Sequence, residues 1–137
     1  MILLDTNVLI YAFDPGSPYS NWSREIIVEA VAGEGAAINA VGLAELCVRD
    51  EEPETVADRI RGWGVQILDV RAAAATCAKA YRRYRERRSS QSRKDAPIMP
   101  LPDFFIGAHA KIMSWDLATV DRGRFHTYFP TVRLRTP

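Results

Sequence analysis

Short apolar runs alternate with longer helix-forming segments along the chain, and this alternation constrains the fold more than any other feature. Runs typical of buried strands lie at residues 2–4, 37–41, 65–70 and 117–120, with a weaker candidate edge strand at 131–134. The segments with helical spacing and composition cover residues 8–13, 20–31, 43–48, 53–63, 72–88 and 102–113. Such alternation predicts an α/β sandwich with a mostly parallel sheet of four or five strands, flanked by helices.

Length and composition indicate an ordinary globular protein. The chain has 137 residues, 47% hydrophobic and 26% charged, which suits one domain spanning residues 1–137. No apolar run approaches the ~20 residues of a membrane span, and the N-terminal segment MILLDTNVLI lacks the basic start of a signal peptide. Cys47 and Cys77 belong to no metal-binding spacing and are expected to be plain thiols. We therefore expect a soluble, cytoplasmic protein that does not associate with membranes.

Four acidic residues follow predicted strands or lie near the starts of predicted helices, namely Asp5, Glu45, Asp103 and Asp121. Taken singly, Asp5 suits a helix N-cap, Asp103 a favourable place at a helix dipole, and Asp121 a turn. Glu45 is different, because it lies inside the apolar segment GLAELCV. Its carboxylate either occupies a narrow solvated stripe or points inward for a functional reason.

The expected topology brings these four acids together. Ligands of parallel α/β sheets bind beyond the carboxyl ends of the strands, and that edge is where these residues are expected. Crowded carboxylates repel one another and acquire raised pKa values, and a hard divalent cation removes this penalty. All-oxygen ligands select Mg²⁺ or Mn²⁺ over softer metals. The sequence thus predicts an acidic pocket that holds a divalent metal ion.

Several segments resemble the motifs of PIN domains and occur in the same order. They are LDTNVLI at residues 4–10, AEL at 44–46, LPDFFIGAHA at 101–110 and TVDRGRF at 119–125. The segment Tyr128-Phe129-Pro130 resembles the ending of VapC-type toxins of bacterial toxin–antitoxin pairs. The likeness covers nearly the whole chain and implies a PIN-like three-layer sandwich.

The resemblance also implies an activity, a cofactor and partners. It implies a metal-dependent endoribonuclease that hydrolyses RNA phosphodiester bonds with Mg²⁺ or Mn²⁺ and acts as the toxin of a toxin–antitoxin pair. Carried over residue by residue, it assigns a catalytic and metal-binding acidic quartet to Asp5, Glu45, Asp103 and Asp121. Asp5 and Asp103 would be the principal metal ligands, and Asn7 and Thr119 would be polar supports of the pocket. Such proteins commonly form homodimers and are inhibited by a small antitoxin, so both partners are expected.

Two segments depart from the family pattern. Ser114-Trp115-Asp116 replaces the usual small-residue turn before the fourth strand, and we expect Asp116 at the opposite edge of the sheet. The segment that most often reads Thr-Arg-Asp is Thr119-Val120-Asp121 here. This second departure predicts that a basic group beside the pocket is missing.

Arginines are concentrated in one part of the chain, between Lys79 and Lys94. Candidate RNA contacts in this segment are Arg82, Arg85, Arg87 and Arg88. Contacts with phosphates would make RNA affinity depend on salt, whereas the same arginines also suit a solvated helix face or a surface for an acidic antitoxin. The sequence leaves these three alternatives open. On a solvated helix face, Tyr81 and Tyr84 would lie on the buried side while the arginines face water.

Other functions fit the residues less well than a nuclease does. A non-catalytic PIN-like module that binds nucleic acid or a protein partner is the main alternative, and the presence of all four acids argues against it. Phosphoryl transfer on an aspartate fits poorly, because Asp5-Thr6-Asn7 lacks the second acid of a DxD pair. His109 and His126 do not suggest a metal-free ribonuclease, and His109 is expected to be a packed helix residue. The RNA target, the antitoxin and the number of metal ions stay open.

Overall fold

The structure is a computed structural model that describes residues 1–89 and 99–137. Its strands are β1 (Ile2–Leu4), β2 (Ala36–Asn39), β3 (Val65–Leu68), β4 (Asp116–Ala118) and β5 (Leu134–Arg135). Its helices are α1 (Thr6–Ala12), α2 (Ser20–Ala32), α3 (Ala40–Val48), α4 (Pro53–Gly62), α5 (Ala74–Ser89), α6 (Leu101–Met113) and α7 (Arg122–Tyr128). The strands form one sheet in the order β3-β2-β1-β4-β5, and each neighbouring pair is parallel. The predicted α/β sandwich is confirmed, and the edge strand near the C-terminus is present at residues 134–135 and not at 131–134.

The central strand β1 separates two apolar clusters. Leu3 packs into the cluster that contains Phe104, whereas Ile2 and Leu4 pack into the cluster that contains Val8. This division follows from the two-residue side-chain period of a strand. All three residues of β1 are buried, because helices cover both faces of the sheet.

Several element boundaries differ from the prediction for local reasons. β2 ends at Asn39, because the Asn39 side chain caps α3 by accepting a hydrogen bond from the Gly42 amide at 3.0 Å. β3 ends at Leu68, because the Asp69 carboxylate accepts from the Arg71 amide at 2.7 Å and starts a short 3₁₀ turn. In both places a side-chain oxygen accepts from an amide two or three residues later, which favours a turn over a longer strand.

The C-terminal part of the chain also differs from the prediction. β4 ends at Ala118 and not at residue 120, and α7 follows at Arg122, where no helix was predicted. The predicted loop at 89–100 has Ser89 as the last residue of α5 and Pro100 as the N-cap of α6. Residues 90–98 of that loop, with Arg93 and Lys94, lie outside the described residues.

The helix α6 positions one candidate site residue and much of the core. It begins at Leu101-Pro102, and proline is favoured there because first-turn amides have no partner within the helix. It ends before Ser114, which adopts a left-handed conformation with φ of 55°. It packs mainly against α5 and also contacts the 3₁₀ turn, α3 and β4. Its first turn lies beside Asp5, at the edge of the sheet where β1 ends.

Two further sequence predictions concern the thiols and membrane association. Cys47 and Cys77 are both free thiols. Within the described residues, no helix has the length and apolar character needed to cross a membrane.

Candidate active site

The four acidic side chains line one pocket of about 220 Å³, together with Asn7. Asp5 directly follows β1, and Asp121 lies three residues after the end of β4. Glu45 lies on α3, which follows β2, and Asp103 lies in the first turn of α6. Because β1 lies between β2 and β4 in the sheet, the segments that follow these strands flank Asp5 on both sides. The acids are far apart in the sequence but adjacent at the carboxyl edge of the sheet.

Asp5 does not act as a helix cap. It occupies the N-cap position of α1, yet its side chain makes no capping hydrogen bond. Instead, Asp5 Oδ2 accepts hydrogen bonds from Asn7 Nδ2 and Thr119 Oγ1, each at 2.6 Å. The predicted polar supports, Asn7 and Thr119, therefore both contact this buried carboxylate and orient it.

Burial makes two of the carboxylates unusually weak acids. Desolvation raises the pKa of Asp5 to about 7, the Thr119 hydrogen bond opposes this rise, and the charges of Asp103 and Glu45 add to it. Desolvation likewise raises the pKa of Asp103 to about 6, against the opposing effect of the neighbouring Arg124. Perturbed carboxylates in a cleft are typical of functional sites, because a fold gains no stability by burying repelling charges.

Glu45 is held by a residue that the sequence did not single out. Thr6 Oγ1 donates a 2.6 Å hydrogen bond to Glu45 Oε2, which joins the start of α1 to the middle of α3. The two helices approach closely here, since a Cβ added to Gly42 would lie 3.2 Å from Thr6 Oγ1. The position of Thr6 beside Asp5 was the only sequence signal for its role.

Asp103 and Asp121 share a basic partner. Arg124 Nη1 lies 3.0 Å from Asp103 Oδ2, and Arg124 Nε lies 2.8 Å from Asp121 Oδ2. Asp121 also caps α7, because its Oδ1 accepts from the Arg124 amide at 3.4 Å. Asp121 thus combines the turn role suggested by the sequence with a place in the pocket.

Two basic side chains lie beside the pocket, although residue 120 is a valine where the family pattern has a basic residue. Val120 does remove one basic side chain. However, α7, a helix that was not predicted, turns the Arg124 side chain toward Asp121 at the N-terminus of that helix. Arg49 also lines the pocket. The i, i+3 spacing of Asp121 and Arg124 would have indicated this contact if a helix had been predicted there.

Asp116 lies where the sequence predicted, away from the acidic pocket. It pairs in register with Ile2 at the amino end of the sheet. Its carboxylate accepts a 2.6 Å hydrogen bond from Arg135 Nε. This ion pair joins β4 to β5 and has no contact with the four pocket acids.

The helix α5 presents a basic surface that is separate from the pocket. Arg82 and Arg85 are exposed and line a groove with Leu101 and Phe105. Arg87 and Arg88 lie near the Tyr128 hydroxyl, since their charges influence its pKa. None of these four candidate RNA contacts lines the acidic pocket in the described part of the chain.

The histidine and tyrosine predictions concern packing. Tyr81 and Tyr84 both pack against Phe104, with ring centroids 5.3 Å apart in each case. His109 is buried and stacks on Trp115 at 6.2 Å. All three side chains therefore contribute to the core, as the sequence indicated.

The match to known proteins covers most of the chain. Residues 2–129 match the family model of the PIN domain. The chain belongs to the PIN domain family. No curated protein matches the sequence.

Solved structures share this PIN fold at low sequence identity. A chain of VapBC2 from Rickettsia felis, bound to a DNA fragment from their promoter, matches with a TM-score of 0.66 and 22% identity, covering 100% of this chain and 99% of that chain. A chain of FitAcB from Neisseria gonorrhoeae matches with a TM-score of 0.66 and 23% identity, covering 100% and 98%. A chain of a toxin–antitoxin complex from Klebsiella pneumoniae matches with a TM-score of 0.65 and 20% identity, also covering 100% and 98%.

The donor chemistry of this PIN domain fits a hard divalent cation, although the side chains are not arranged around one. No three Asp, Glu, His or Cys side chains in the described residues are placed to hold a metal ion as they stand. Arg124 and Thr6 instead hold the oxygens of Asp103, Asp121 and Glu45. All four acids offer carboxylate oxygens, the ligands that Mg²⁺ and Mn²⁺ prefer. A cation would also offset the desolvation, and the smaller repulsion among neighbouring carboxylates, that raise the pKa values of Asp5 and Asp103.

Proposed function

We propose that this PIN domain is a metal-dependent endoribonuclease that hydrolyses RNA phosphodiester bonds. The observation that carries the proposal is the meeting of four carboxylates in one pocket at the carboxyl edge of the sheet. Asp5 strengthens it, because two hydrogen bonds hold this buried carboxylate in a position that no helix cap requires. Nucleases of the PIN family generally use divalent metals, which agrees with the oxygen-only donor set.

Asp5 and Asp103 are proposed as the principal ligands of Mg²⁺, with Mn²⁺ as an alternative ion. Both carboxylates are buried, and the charge of Glu45 raises the pKa of each. Asp121, which shares the partner Arg124 with Asp103, is proposed to complete the ligand set. When bound, the ion would act as a Lewis acid that polarises the scissile phosphate and lowers the pKa of a bound water.

The remaining polar residues orient these carboxylates. Asn7 and Thr119 hold one oxygen of Asp5. Thr6 holds Oε2 of Glu45, which leaves Oε1 to accept a hydrogen bond from the attacking water. Water attack in line with the leaving oxygen would give a 5′-phosphate and a 3′-hydroxyl.

The biological role that we propose is that of a VapC-type toxin. The shared fold supports this role, because similar chains occur in the VapBC2 complex and in a toxin–antitoxin complex. The expected partners are an RNA substrate, a small cognate antitoxin and a second copy of the chain in a homodimer. The proposed location is the cytoplasm, where RNA is available.

The test is RNA cleavage by purified protein and by the variant Asp103→Asn. We expect the wild type to cleave RNA with Mg²⁺ or Mn²⁺ and to stop on addition of EDTA. Asp103→Asn is expected to reduce kcat by on the order of 10³-fold or more, because it removes a charged ligand from the reacting centre. Circular dichroism and the melting temperature should show that the variant folds.

The matched control is Asp58→Asn, which neutralises an exposed carboxylate on α4 and should cleave at the wild-type rate. Full activity of Asp103→Asn would remove this residue from the mechanism. RNA binding without cleavage under any metal condition would favour the alternative, a non-catalytic PIN-like module that binds nucleic acid or a protein partner.

A further inference from the structure

Arg124 places a positive charge inside a pocket that is proposed to bind a metal cation. Its Nη1 lies 3.0 Å from Asp103 Oδ2 and its Nε lies 2.8 Å from Asp121 Oδ2. One guanidinium therefore bridges two acids that come from α6 and from the start of α7. The same two oxygens are among those that a divalent cation in this pocket would use.

The backbone of Arg124 is fixed, whereas its side chain has room to move. The next residue, Phe125, is almost fully buried in the core, and Tyr128 packs one turn later on the same helix. The Asp121 cap fixes the first turn of α7. The Arg124 side chain is 40% exposed, so solvent lies beside the guanidinium and not only the two carboxylates.

A guanidinium and a divalent cation cannot share these oxygens favourably. Both carry positive charge, and at a separation of a few ångströms they repel strongly in a partly buried pocket. Arg124 also donates a hydrogen bond to Asp103 Oδ2 and forms an ion pair with Asp121 Oδ2, so it occupies one oxygen of each carboxylate that could otherwise coordinate a metal. Binding of one cation therefore opposes binding of the other.

We propose that Arg124 is a built-in counter-ion of the acidic pocket, which a divalent metal must displace from Asp103 and Asp121 in order to bind. This inference rests on the proposed function, because it assumes that the pocket receives a metal. Without metal, Arg124 offsets the repulsion among the carboxylates and stabilises the fold. The displacement lowers the apparent metal affinity, so that the side chain sets the metal concentration at which the pocket fills.

The first test measures Mn²⁺ affinity without RNA. Isothermal titration calorimetry on the wild type and on Arg124→Gln should show about 10-fold tighter Mn²⁺ binding by the variant. Two binding events that oppose each other typically change affinity by about this factor, and the variant lacks the competing cation. Arg122→Gln is the matched control. Arg122 lies on the same helix, is exposed and has no ion pair within the described residues, so its replacement should change the affinity less than about twofold.

The second test measures thermal stability at two metal levels. In EDTA, Arg124→Gln should melt below the wild type, because Asp103 and Asp121 lose their counter-ion. At saturating Mn²⁺ this difference in melting temperature should disappear or reverse. The ion stabilises both proteins, and it stabilises more strongly the one that binds it more tightly. Arg122→Gln should follow the wild type in both buffers.

The outcomes separate this inference from the proposed function. Equal or weaker Mn²⁺ binding by Arg124→Gln, with measurable binding by the wild type, would overturn the counter-ion role and leave the proposed function intact. A melting difference that is the same in EDTA and in Mn²⁺ would also overturn it, because it would show a purely structural ion pair. Absence of Mn²⁺ binding by all three proteins would overturn the proposed function and the counter-ion role together.

Discussion

Asp5 is a carboxylate that a folding chain would ordinarily leave in water. It is 4% exposed, and its strong partners are two neutral donors, Asn7 and Thr119. Neutral donors only partly offset the loss of hydration, so the pKa of Asp5 rises to about 7. This residue shows most clearly that the pocket is arranged for something other than the stability of the chain alone.

A pH dependence of stability follows from this pKa. The folded value of about 7 lies above the ordinary aspartate value of 3.8, so between these values the folded state holds a proton that the unfolded state has released. The stability contributed by this proton is fully present below the unfolded pKa of 3.8, and it is lost as pH rises through the folded pKa of about 7. In EDTA, the free energy of unfolding should therefore fall between about pH 4 and about pH 7.

The variant Asp5→Asn tests this assignment. It removes the titrating group, so urea unfolding in EDTA should give a flatter pH profile and a gain of about 1–3 kcal/mol over the wild type at about pH 8. Part of the slope should persist, because Asp103 has its pKa raised to about 6 in the same direction. Asp58→Asn should keep the wild-type slope. If Asp5→Asn kept it as well, the buried charge would not be the cause.

At the scale of elements, the site depends on where helices begin. The Asn39 cap starts α3 directly after β2 and turns Glu45 toward Thr6. The Asp121 cap starts α7 and turns Arg124 toward the pocket. The Asn39 cap also ends β2 two residues before its apolar pattern indicated, because the residues after Asn39 enter α3.

A close approach between α6 and the C-terminal segment is a second feature at this scale. A Cβ on Gly107 would lie 3.0 Å from Phe129 Cγ and closer still to two other carbons of that buried ring. Gly107→Ala should therefore destabilise the protein by about 1–3 kcal/mol, although alanine favours a helix by about 1 kcal/mol. Urea unfolding measures the change.

The control for this prediction is Gly62→Ala at the end of α4. A Cβ there would meet nothing within 4 Å, so the change should be neutral or should stabilise by about 0.5–1 kcal/mol. If the two variants were equally stable, the Phe129 ring would have room to move aside, and the close approach would not constrain the packing of α6.

Over the whole molecule, a net charge of +1 conceals two separate regions of charge. Acids line the pocket at the carboxyl edge of the sheet, and arginines line the exposed side of α5. Since carboxylates repel phosphates, the basic surface is the better candidate for holding the RNA backbone. A bound metal would then engage only the phosphate that enters the pocket.

Charge reversal on α5 tests this division. The double variant Arg82→Glu, Arg85→Glu should weaken RNA binding and reduce the slope of log affinity against log salt by about 0.7 for each phosphate that the protein no longer neutralises. Fluorescence anisotropy with labelled RNA at several salt concentrations gives both quantities. These two arginines are chosen because Arg87 and Arg88 lie near Tyr128, where reversal would disturb the core.

Arg61→Glu on α4 is the control, because its exposed ion pair with Asp58 contributes little to stability. It should leave RNA binding unchanged. If the α5 double variant also bound RNA normally, the basic surface would be either a solvated helix face or a surface for the antitoxin.

The sequence by itself determined the sheet and the edge at which the site lies. The apolar runs at β1 and β4 and the acids after them, Asp5 and Asp121, are local patterns, and parallel strands necessarily bring their carboxyl ends together. A local pattern is enough for this because burial of apolar side chains is the largest favourable contribution to folding. Asp116 was placed at the opposite edge by the same reasoning.

Only the tertiary structure decided which partners these acids have. The hydrogen bond from Thr119 to Asp5 joins residues 114 positions apart, and the Arg124 bridge joins α6 to a helix that was not predicted. Such contacts depend on caps and hydrogen bonds worth about 1 kcal/mol each, and packing between distant segments outweighs any local preference of that size. The sequence therefore predicted an acidic edge, and the fold decided that Arg124 lies among its carboxylates.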